Sequence, residues 1–103
     1  MNLPYFDLTG KVAIITGGAT GIGRGIAEGL ADAGAAIVIA ARRLEKCDIA
    51  CKEIAERTGT QTFPCRCDIT DRQQVAALVD DVAAEFGHMD ILVNNSGTGG
   101  NEK

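Results

Sequence analysis

The chain has 103 residues, 46% hydrophobic and 23% charged, with a formal net charge of −4. That length bounds it to one domain, and the balance is that of a soluble globular protein rather than a disordered one. No Lys/Arg run marks a basic face, no apolar stretch approaches a membrane span, and no basic-then-apolar leader follows Met1. Nucleic-acid and membrane partners are therefore disfavoured, and the cytoplasm is the expected compartment.

Apolar runs and helix-periodic stretches alternate along the chain. Lys11 to Thr16 reads as a first strand that stops at a glycine-rich turn. Ile22, Ile26, Leu30 and Ala33 then recur at helical spacing, predicting a helix from Gly21 to Ala33 that stops at Gly34. Ala36 to Ala41 is a second apolar strand. Leu44 to Arg57 reads as a helix with Leu44, Cys47, Cys51, Ile54 and Ala55 in one stripe, closed by Gly59. Gln61 to Arg66 is the third strand, and Pro64 assigns it to a sheet edge because proline lacks a ladder donor. Thr70 with Gln73 reads as a capping box opening a helix with Val75, Leu78, Val79, Val82 and Phe86 on one face. Gly87 ends that helix, and Ile91 to Asn94 is the fourth strand.

Such alternation predicts an α/β fold, a parallel sheet with right-handed crossovers and helices on both faces. The expected arrangement is β-α-β-α-β-α-β with strand order 3-2-1-4, half of a doubly wound, Rossmann-like sheet. The cysteine spacings, four apart for Cys47 and Cys51 and two apart for Cys65 and Cys67, invite a metal reading. Core filling accounts for them better: the first pair lies on a helical stripe, and Phe63, Cys65 and Cys67 share a strand face. No metal ligand is assigned. His88, the sole histidine, reads as a solvated turn residue.

The chemistry concentrates at Thr16 to Gly23. A strand that ends in a glycine turn and feeds a helix directs free amides outward, where they and the helix dipole suit a phosphate. Strict Gly-x-Gly-x-x-Gly is absent, because Ile26 stands where the third glycine belongs. The Walker-type loop fails as well, since Arg24-Gly25 replaces the Lys and Ser/Thr that would hold terminal phosphates and magnesium. What remains is Thr-Gly-x-x-x-Gly-x-Gly, a pattern of moderate specificity because glycine turns also close helices and hairpins.

With this loop, Gly10-Lys11, Cys67-Asp68-Ile69-Thr70 and Asp90 to Gly97 stand in order, the last reading Asp-Ile-Leu-Val-Asn-Asn-Ser-Gly. Together they resemble the short-chain dehydrogenase/reductase family over nearly the whole chain, with Ser96 replacing the usual alanine of Asn-Asn-Ala-Gly. The resemblance implies a dinucleotide cofactor held by Gly17, Thr20, Gly21, Ile22 and Gly23. It implies that Asp68 accepts from the adenine amino group beside the Ile69 backbone, and that Asn95 with the Ser96-Gly97 backbone holds the ribose side. Asn94 would tie strands together. The bland alternative for Asp68 is an acid leading the helix near Thr70.

Cofactor choice rests on Arg42. Where an acid would accept from both ribose hydroxyls stands Ala41, and the Arg42 guanidinium can grip a 2′-phosphate bidentately. Arg43 reads as stacking or solvated. Thr20 stands where many phosphate-preferring members carry a second base. The expectation is NADP(H), with NAD(H) the alternative.

The family moves a hydride between nicotinamide and a carbonyl/alcohol pair, so a small carbonyl or alcohol is the implied substrate of the full-length protein. Its acid–base tyrosine comes as Tyr-x-x-x-Lys, whereas the single tyrosine here, Tyr5, is followed four positions on by Thr9. No catalytic residue is assigned. The fourth strand would leave an open edge, so the chain is expected to be the N-terminal part of a larger protein, inactive alone. Full-length members associate into homo-oligomers through later helices. The alternative is a non-catalytic nucleotide-binding or interaction module.

Overall fold

Alternate residues of each inner strand serve opposite sides of one sheet. The computed structural model describes residues 7–95. Its elements are β1 (Val12–Thr16), α1 (Gly21–Asp32), β2 (Ala36–Ala41), α2 (Leu44–Thr58), β3 (Thr62–Arg66), α3 (Arg72–Phe86) and β4 (Ile91–Asn94). The four strands lie in the order β3-β2-β1-β4 and pair in parallel throughout. β1 is matched Val12 to Ala36 on one side and Ala13 to Ile91 on the other.

Ala13, Ile15, Ile37 and Ile39 pack with Ala27 and Ala31 of α1 and Cys47, Ala50, Cys51 and Ile54 of α2. Val12, Ile14, Val38 and Ala40 face the other way, onto Leu78 and Val82 of α3. Helices therefore cover both faces, as the expected doubly wound half-sheet requires. Burying each of the large aliphatic side chains contributes about 1.5–3 kcal/mol. Pro64 sits opposite Ile39 on the outer strand β3, where its missing donor faces no neighbour. Phe63 on β3 meets Phe86 at the end of α3 edge-on, with ring centroids 6.2 Å apart.

Three expectations are corrected. The buried face of α1 is Gly23, Ala27 and Ala31, while Ile22 is 77% exposed. Small residues let the helix lie close to the sheet, so the large apolar residues are displaced to its flanks. Leu44 and Val79 are likewise exposed rather than part of their helices' buried stripes. Finally, α3 opens one residue later than a Thr70 cap would place it: Asp71 Oδ1 accepts from the backbone N–H of Gln73 (2.9 Å) and Gln74 (3.4 Å). The Thr70 hydroxyl is committed elsewhere, donating to Asp68.

The cysteines are core residues split between the two faces, Cys47 and Cys51 with α1 and Cys65 and Cys67 with α3. Burial pushes the Cys47 thiol up to about 11. Across the outer surface, α1 and α2 are joined by Arg24–Glu53 and Arg57–Asp32, both at 2.8 Å. Solvent screens the second, half-exposed pair, which is worth about 1 kcal/mol at most. On β4, Ile91 and Val93 pack toward α1 and α2, and Leu92 is 58% exposed on the opposite side. Among the described residues no helix is long and apolar enough to cross a membrane.

Candidate nucleotide-binding site

The carboxyl ends of β1 and β4 lie side by side, at the point where the chain order of the sheet reverses. In open α/β sheets that crevice is where ligands bind. Thr16 ties the two ends together. Its Oγ1 accepts from the Asn95 N–H at 3.0 Å and lies 3.1 Å from Asn94 Oδ1 and 3.3 Å from the Val93 carbonyl. Asn94 thus links strands, as the sequence implied.

Beyond Thr16 the backbone turns through Gly17 (φ +68°), whose N–H donates to the Ala40 carbonyl at 2.8 Å, and enters α1 at Gly21 (φ +61°). Thr20, the residue capping α1, is extended, and its hydroxyl makes no capping hydrogen bond. No acid stands in the first turn of α1. The leading amides of a helix have no intrahelical acceptor, and here neither a cap nor a carboxylate competes for them. Gly23 is buried under the turn: a Cβ there would collide with the Gly17 carbonyl and stand 2.7 Å from Asn95 Nδ2. The geometry suits an extended diphosphate.

The other expected residues share this rim. Arg42 is exposed just after β2 and makes no hydrogen bond among the described residues, whereas Arg43 Nε donates to Glu45 at 3.2 Å. Arg24, the nearby cation on α1, is turned away to Glu28 (2.9 Å) and Glu53. Asp68 follows β3, extended by a hydrogen bond from the Cys67 N–H to the Ala41 carbonyl at 2.8 Å. Its Oδ1 accepts from the Thr70 N–H (3.0 Å) and Oγ1 (2.7 Å). Those bonds hold its carboxyl below the usual range, and the Arg42 and Arg66 charges act in the same direction. The Ile69 side chain packs onto the α3-side core. Ser96, Gly97 and Tyr5 lie outside the described residues.

Sequence reasoning missed three contacts. Arg43 is solvated, its side chain 67% exposed, and in addition pairs with Glu45 at 3.2 Å. Gln74 Oε1 accepts from the Asp68 N–H at 2.8 Å, a link visible in sequence only as a polar residue in the first turn of α3. At the opposite end of the sheet, His88 Nε2 lies 3.0 Å from the Gly10 carbonyl and 3.1 Å from Asp90 Oδ2, which also accepts from the Val12 N–H at 2.8 Å. His88 is therefore a structural clasp, not merely a solvated turn residue.

The model of the short chain dehydrogenase family matches residues 11–103. The chain belongs to that family. Short chain dehydrogenases are NAD(P)-binding oxidoreductases, and the uncapped start of α1 over its glycine turn fits such a dinucleotide. The chain is 46% identical over 99 residues to a 7alpha-hydroxysteroid dehydrogenase of Escherichia coli K12, covering 96% of itself and 38% of that protein. The crystal structure of L-sorbose reductase from Gluconobacter frateurii, complexed with NADPH and L-sorbose, is similar at a TM-score of 0.89 and 43% identity. That match covers 95% of this chain and 37% of the reductase. A metagenomic short-chain oxidoreductase in complex with NADP matches with a TM-score of 0.83 and 39% identity, over 89% of this chain and 41% of its own. The chain thus spans about two-fifths of the length of these short chain dehydrogenases.

Proposed function

We propose that this chain is the cofactor-binding part of an NADP(H)-dependent oxidoreductase that interconverts a carbonyl and an alcohol. The bound dinucleotide supplies or accepts the hydride. The chain's residues hold it: the first amides of α1, with the Gly17, Gly21 and Gly23 backbone, receive the diphosphate, flanked by Thr20 and Ile22. Asp68 accepts from the adenine amino group with the Ile69 backbone alongside, and Asn95, Ser96 and Gly97 line the ribose side. Arg42 takes the 2′-phosphate.

One observation carries the cofactor preference. Of the arginines around the rim, Arg24 and Arg43 are committed to carboxylates, while Arg42 and Arg66 make no side-chain hydrogen bond among the described residues, and of these two Arg42 is the one that directly follows β2, next to the glycine turn's strand. A guanidinium with its donors available binds phosphate through charge-assisted, bidentate hydrogen bonds. The NADPH and NADP complexes of the two similar structures support the same preference. Titration with NADPH and NADH, followed by nucleotide fluorescence, tests it: tighter binding of NADPH is the expected result, and tighter binding of NADH overturns it.

A second reading, a non-catalytic nucleotide-binding or interaction module, draws on the exposed Leu92 of β4 as a contact surface. NADPH-dependent reduction of a carbonyl compound by the whole protein would exclude it.

A further inference from the structure

A chain of polar contacts around the start of α3 holds Asp68, three of them made by Asp68 itself. Asp71 Oδ1 caps the helix, and Asp71 Oδ2 accepts from Gln74 Nε2 at 3.2 Å. Gln74 Oε1 in turn accepts from the Asp68 N–H at 2.8 Å, which anchors the Asp68 backbone to the first turn of α3. Thr70 anchors the side chain, its N–H and Oγ1 both donating to Oδ1 at 3.0 and 2.7 Å. Oδ1 is thereby supplied with two donors, and among the described residues Oδ2 has none.

We infer that Thr70 is a positioning residue that makes Asp68 discriminate 6-amino from 6-oxo purines. The inference rests on the reading of Asp68 as the adenine acceptor. An ionised carboxylate only accepts, so it favours an exocyclic amino group and opposes a carbonyl oxygen at the same place. An exposed aspartate that rotates freely loses that selectivity, because it must be ordered at the moment of binding. The Thr70 hydroxyl does this ordering in advance and occupies the one oxygen, so that Oδ2 alone faces the ligand's donor.

The test is binding of NADPH against its deaminated, hypoxanthine-containing analogue, by fluorescence titration of wild type, Thr70→Val, Thr70→Ser and Asp68→Ala. Thr70→Val is expected to lower the preference for NADPH by about three- to tenfold, the range of one hydrogen bond, with the affinity for the analogue nearly unchanged. Thr70→Ser restores the preference. The pH profile gives a second readout. Arg42 and Arg66 remain beside Asp68 in the variant, but without the hydroxyl Asp68 protonates at higher pH, so the preference disappears earlier on acidification. An unchanged preference in Thr70→Val overturns the inference, as does an equal loss of both ligands in Thr70→Val and Thr70→Ser. Survival of the preference in Asp68→Ala instead overturns the adenine reading of Asp68, and the role of Thr70 falls with it.

Discussion

Asn95 Nδ2 lies 3.4 Å from the Gly17 carbonyl, joining the end of β4 to the first residue of the glycine turn. Gly23 is wedged beneath the same carbonyl, so two residues of the glycine turn and one from the far end of the chain share a space with no room for a methyl group. The closer neighbour is backbone and cannot yield, and the other, Asn95 Nδ2, would have to leave its hydrogen bond to the Gly17 carbonyl. Gly23→Ala should therefore cost about 1–3 kcal/mol, as overpacking does, and weaken dinucleotide binding with it. Urea denaturation of both proteins measures the first effect, and an unshifted midpoint would count against this packing.

Arg42→Ala should weaken NADPH about tenfold or more while leaving NADH within about twofold, the loss of a charge-assisted contact. Arg43→Ala should matter less, because its guanidinium is already engaged with Glu45 at 3.2 Å. Parallel titrations with the two reduced nucleotides check the ranking. A larger loss in Arg43→Ala would reverse the assignment.

Asp71→Ala should destabilise the protein by about 0.5–2 kcal/mol, the usual cost of losing a helix N-cap. Gln73 and Gln74 would lose their side-chain acceptor together. Thermal unfolding of Asp71→Ala beside Thr70→Ala separates the true cap from its neighbour, and equal losses would contradict the assignment of Asp71.

The Cys47 thiol ionises at about 11 in the folded protein against 9.0 for a free thiol, chiefly because burial opposes the thiolate. Between those values the unfolded chain releases a proton that the folded chain retains. Stability is thus unaffected below pH 9.0 and falls as the pH rises toward 11. Cys47→Ala should show a shallower loss in denaturant titrations run from about pH 8 to about pH 10, at some cost in stability at neutral pH from the cavity it leaves. An identical alkaline slope in both proteins would exclude Cys47 as the source.

Most strands were legible because a parallel sheet covered on both faces needs continuous apolar runs, and Ala36–Ala41 and Ile91–Asn94 have the predicted bounds. Helix ends closed by Gly59 and Gly87 were legible for the same local reason: both lie in the left-handed region. Thr70 and Asp71 were not separable in sequence, as either side chain can cap a helix. The choice turned on Asp68, which claims the Thr70 hydroxyl. The face of α1 was misread because hydrophobicity points to Ile22, Ile26 and Leu30, whereas the distance between helix and sheet selects Gly23, Ala27 and Ala31.

Residue order alone determined the alternation of strands and helices, the glycine turn after Thr16 and the family resemblance, because these depend on backbone preferences and periodicity within a few residues. Tertiary structure decided which of several equivalent side chains are available. Arg24 is drawn to Glu53 on another helix, and Asn95 reaches Gly17 across 78 positions. Such pairings depend on separations set only when the sheet and its helices pack, so the commitment of Arg24 and the crowding at Gly23 could be recognised only in three dimensions.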